Sequence, residues 1–174
     1  MIKSHLWCAL GATVFTLVTV SANAALFSRL GGQAAYDDVL NITWTTNAAL
    51  SGADTWNNQV AWASNLDYLG FDDWRLASMS VAAGLPTGTT AAPIDCRTAT
   101  ELACRDNELG YMFYQNLGGS FGDNLQGNHT VGDVTLISVL NGYWSGTDGG
   151  PPGGVGGWLI GFSNGSVAAN PKSN

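Results

Sequence analysis

Charge is what this chain has least of. Only 11% of its 174 residues are Asp, Glu, Lys or Arg, against roughly 25% in an average soluble domain. Positive charge is scarcest, with six Lys and Arg against thirteen Asp and Glu, a net charge of −7. Phosphate binding needs clustered basic side chains to release counterions, so nucleic acid is excluded as a partner. Histidine is nearly absent too, and the sequence has no H-E-x-x-H pair. His129, beside Asn128 on a polar stretch, would need a distant partner to act as a base. The carboxylate pairs Asp37-Asp38 and Asp72-Asp73 are adjacent in sequence. On a strand such neighbours point to opposite faces, so neither pair makes a two-carboxylate site by itself. The expectation is a protein that is not an enzyme.

Long apolar runs are also scarce, and the one present stands at the start. Leu6 to Val20 carries no charge, follows Lys3, and precedes Ala22-Asn23-Ala24, an A-x-A cleavage site. The run is shorter than the roughly 20 residues of a spanning helix. Residues 1–24 are therefore expected to be a signal peptide and 25–174 a single domain, at −8 once Lys3 is gone, that is secreted, periplasmic or on the surface of a bacterial cell with no stable membrane span. Of three cysteines, Cys96 and Cys104 remain after cleavage. In an oxidising compartment such a pair is expected to form a disulfide, stapling a local loop. They lack C-x-x-C spacing and have one mature histidine for company, so no metal is assigned to them.

What the chain has in quantity is glycine (23 residues) and tryptophan (seven). Tyr36 to Trp44 carries alternating β-branched residues and predicts one or two short strands ending near Thr45. Asp54 or Thr55 can cap a helix over about 55–68, with Trp56, Val60, Ala63 and Asp67 on one face, Trp62, Leu66 and Leu69 on another, and Gly70 as the stop. A strand is expected at Phe71–Leu76 and a Gly/Pro/Thr-rich loop over 80–92. Asn107 caps a second helix whose Leu109, Met112, Phe113 and Leu117 stripe is core, closed by Gly118-Gly119. Further strands are expected at Val134–Val139, Gly142–Gly146 and Gly157–Phe162. Two short helices on a small, much-looped sheet make an α+β fold.

Four ordered segments, Asp72-Asp73-Trp74-Arg75-Leu76-Ala77-Ser78, Glu108 to Gly119, Tyr143-Trp144-Ser145-Gly146-Thr147 and Trp158 to Gly165, resemble the Lcl C-terminal domain family, also called domain of unknown function 1566, from about residue 39 to 174. The resemblance implies a C-type lectin-like fold, two helices on a small, twisted, mostly antiparallel sheet with long loops. It also implies an exported protein; the family's named member is an adhesin whose C-terminal domain binds sulfated glycans. The family's last strand, reading roughly Y-A-W-A-V-R, has no counterpart after Gly165, so the closing strand is expected to be missing, as in a truncated gene product. A domain at −8 is a poor match for an anionic glycan, so that specificity is not carried over.

Sugar-binding modules stack pyranose rings on aromatic faces while Asn and Asp meet the hydroxyls. Trp74, Trp144 and Trp158 lie in strand-like motifs and are expected in the core with Leu76, Leu109, Phe113 and Phe162. Asp148, Asn164 and Asn128 are the expected ligand-binding residues. No cofactor is required; calcium at Asp123, Asp133 and Asp148 is the one ion that oxygen-rich loops would suit. The expected function is an exported, non-catalytic binding module recognising a glycan or another surface or extracellular polymer. The alternative is a structural or protein-interaction domain of the cell envelope with no small ligand. An exposed aromatic beside convergent Asn or Asp in a concave region would favour the first; a flat loop face with every Trp buried would favour the second.

Overall fold

A computed structural model describes residues 26–79, 107–150 and 156–173. The signal segment, residue 25, the loop over 80–92 and the Cys96 and Cys104 pair lie outside them. Among the described residues the chain forms β1 (Leu26–Arg29), β2 (Ala34–Asp37), β3 (Ile42–Thr45), α1 (Trp56–Ser64), α2 (Glu108–Tyr111), β4 (Gly127–Val131), β5 (Val134–Val139), β6 (Gly142–Gly150), β7 (Gly156–Gly161) and β8 (Val167–Pro171). All pairing among these strands is antiparallel, in three small sheets ordered β1-β2-β3, β4-β5 and β6-β7-β8. The architecture is α+β.

The core lies where the helical segment meets the sheets. Phe113, Ile160 and Val167 are fully enclosed, with Leu109, Met112, Val134, Leu136 and Phe162 around them. In β5 the alternation is plain: Val134 and Leu136 point inward while Thr135 and Ile137 are exposed, as a strand buried on one face requires. Its hairpin with β4 turns through Gly132-Asp133, with Gly132 at φ +60°, a backbone that glycine adopts at no steric cost. Phe113 packs edge-on against Tyr114 and Phe162, so the expected Leu109 and Phe113 stripe does face the core.

Four sequence expectations are corrected. Helix α1 ends at Ser64, well short of 68. Asn65 ends it, because its side chain donates to the Ala61 carbonyl at 2.7 Å while Leu66 N turns back to Ala63 O, and such side-chain bonds compete with further helix. The second helix starts at its Asn107 cap, where Oδ1 accepts from Gly110 N at 2.6 Å, but it loosens into a π-helical turn over Met112–Asn116. Phe71–Leu76 is no strand. It belongs to an irregular strap tied to its neighbours at scattered points: Ala77 O accepts from Gly146 N, Ser78 O accepts from Glu108 N, and Met79 N donates to Thr147 Oγ1, too few consecutive backbone bonds to make a ladder. Finally, Val167–Pro171, a segment in which the sequence suggested no strand, supplies the outer strand of the third sheet, in register with β7 from Ile160↔Val167 to Gly156↔Pro171.

Candidate binding cleft

A cleft of about 810 Å³ lies between β3, the loop over residues 47–54, α1, the strap and the start of β6. Trp44, Trp62, Trp74 and Trp144 line it, and all four are half-buried. Each is placed by a different piece of local chemistry. Thr55 caps α1, its Oγ1 accepting from Asn58 N, and the helix then turns Trp62 and Leu66 toward the cleft. The Trp74 indole donates to Tyr68 O at 3.0 Å and tilts against the Tyr68 ring. The Trp144 indole donates to Asp54 O at 3.1 Å, joining β6 to the loop before α1. Trp44 Nε1 is buried without a hydrogen-bond partner.

Between the rings stand amides. Asn47, Gln59, Gln126, Asn141 and Asn170 line the same cleft, groups that both donate and accept. Ionised side chains are sparse there: among the described residues, the lining includes Asp54 and Arg75. The Asp54 carboxyl sits below the usual carboxylate range, because the Asn58 side chain and then Thr55 N donate to it. Arg75 is ion-paired. Its Nη1 and Nη2 each meet a different Glu108 oxygen at 2.8 Å, and this bond is the main reason that its guanidinium holds its proton still more firmly than usual. Glu108 also accepts from Ser78 N at 2.6 Å. Asp72 and Asp73 are both exposed.

The expected core residues divide. Leu109, Phe113 and Phe162 are buried, and Trp158 packs half-buried against them. Trp74, Leu76 and Trp144 are instead half-buried walls of the cleft: the strap carrying the first two leaves the sheet, and the polar ends of both indoles are held by loop carbonyls. The three expected ligand residues are elsewhere. Asp148 is paired with Lys172, Asn164 Oδ1 accepts from Ser166 N and Oγ in the turn after β7, and Asn128 Oδ1 accepts from Ser138 N across the β4-β5 bulge. None of them lines this cleft. Asp123 and Asp133 are likewise engaged by Ser120 N and Ser28 N, and no group of three or more His, Cys, Asp or Glu that could hold a metal occurs among the described residues.

The residues that sequence reasoning missed are Asn47, Asn141 and Asn170. They lie in turns or at a strand end, where Asn is ordinary turn chemistry, and nothing in their spacing links them. The Trp62 and Leu66 stripe was the one available signal. Compared with known proteins, the chain matches no family model, no curated protein and no solved structure. No helix among the described residues is long and apolar enough to cross a membrane.

Proposed function

We propose that this protein is an exported, non-catalytic binding module that takes an uncharged glycan, or a similar surface polymer, into the tryptophan-lined cleft, on a C-type lectin-like scaffold as the sequence motifs imply. The observation that carries this is the company the aromatics keep: Trp62, Trp74 and Trp144 share one concavity with Asn47, Asn141 and Asn170. Indole faces bury the apolar C–H faces of pyranose rings, and amides supply paired donors and acceptors for hydroxyls. The volume lies within the roughly 300–1,000 Å³ usual for small-ligand sites. Charge argues for a neutral ligand: the cation lining the cleft is neutralised by Glu108, and a chain at −7 repels sulfated polymers.

A glycan array probed with the mature chain, beside its Trp62→Ala variant, tests the reading. Neutral glycans should be retained by the first and lost by the second. Retention of sulfated glycans alone, or of none, would overturn it and leave the envelope interaction domain as the better account.

A further inference from the structure

Next to the strap lies a second cavity of about 600 Å³, itself within the roughly 300–1,000 Å³ of ordinary ligand sites. It shares Ala63, Trp74, Arg75 and Leu76 with the first, so the two adjoin along the strap. The second adds Ser64 and Glu108, the partner of Arg75. That pair suits hydroxyls. Of a guanidinium's five N–H groups, three on Arg75 are engaged by Glu108 and the Leu76 carbonyl, and the side chain is 55% exposed. With its charge matched by Glu108, it offers its remaining donors without attracting anions.

We propose, resting on the glycan reading above, that the two cavities are consecutive subsites of one ligand, which is therefore a linear, uncharged oligosaccharide or polymer chain passing over the Trp74–Leu76 strap. The first cavity supplies aromatic faces and amides. The second supplies the Arg75–Glu108 pair, and Glu108 acts there also as a positioning residue, because it grips the strap at Arg75 and Ser78 and so holds Trp74 between the sites.

Isothermal titration of the mature chain with gluco-oligosaccharides and with β-1,4-linked N-acetylglucosamine oligomers, from disaccharide to hexasaccharide, tests this. At least one series should gain about tenfold or more in affinity with length, equivalent to about 1.4 kcal/mol. Ser64→Trp, which plugs the second cavity from an exposed helix end, should abolish that gain and leave disaccharide affinity unchanged. Ser64→Gln is a smaller plug should the first variant fail to fold. Trp62→Ala should weaken short and long ligands alike. Binding that does not grow with length, or a length gain that survives the plug, overturns the second subsite and leaves the cleft intact. No binding by any series overturns the glycan reading and this inference with it.

Discussion

The indole of Trp56 fills the space in which a β-carbon on Gly157 would stand, nearer than real Cβ atoms approach. The ring is pinned there. Its Nε1 donates to Ser145 O at 2.8 Å, and the Lys172 ammonium lies 4.6 Å from the ring centroid on a residue that also pairs with Asp148. Helix α1 is thereby docked onto the sheet formed by β6, β7 and β8, and with it the Trp62 wall of the cleft.

Gly157→Ala should accordingly destabilise the fold by about 1–3 kcal/mol, the usual range for overpacking, and Trp56→Ala by about 3–5 kcal/mol. Denaturant unfolding measures both. Wild-type midpoints would mean that α1 is not held by this contact.

Asp37 is completely buried, with Oδ1 accepting from Val39 N and Leu40 N and Oδ2 from Asn116 Nδ2 at 2.7 Å. Asp37→Ala orphans these donors, so a loss above about 2 kcal/mol is expected. Asp37→Asn should cost less, since it keeps an acceptor for the two backbone groups. Equal losses in chemical unfolding would contradict the assignment.

Burial, with the charges of Asp37 and then Asp38 nearby, pushes the Tyr111 phenol up to about 12 from an ordinary 10. A folded pKa above the unfolded one means that its contribution to stability is complete below pH 10 and is lost as pH rises through about 12. Alkaline unfolding should therefore set in above pH 10, and Tyr111→Phe should flatten that decline. Tyrosinate absorbance should show a group titrating near 12 in the wild type that is missing from the variant.

Asp148, singled out from the sequence as a ligand residue, is exposed and engaged with Lys172. Exposed ion pairs contribute about 0–1 kcal/mol, so Asp148→Ala should barely shift the thermal midpoint and should leave binding to neutral glycans intact. Trp144→Ala should do the reverse to binding, since that ring lines the cleft. Loss of binding in the Asp148 variant would move the site toward β8.

The local alphabet of the chain made much of this readable. The Asn107 cap, the Gly118 stop, the alternation of Val134 to Val139 and the strands through Trp44 and Trp158 are short-range signals, each decided by a residue's own backbone preference or by a single period. They marked where most elements begin and which of Leu109 and Phe113 turn inward. Length-dependent features were less legible: α1 stops at Asn65 because one amide reaches back to Ala61, and Phe71–Leu76 has strand-like residues but too few ladder partners. Tertiary structure alone decided the site. Asn47, Asn141 and Asn170 are far apart in sequence and meet at one cleft only because α1 docks through Trp56 on Gly157, while the strap is clamped by Arg75 and Glu108, thirty-three positions apart. Which tryptophans are core and which are walls follows from that docking, because a ring's burial depends on what packs over it and that lies outside its own segment.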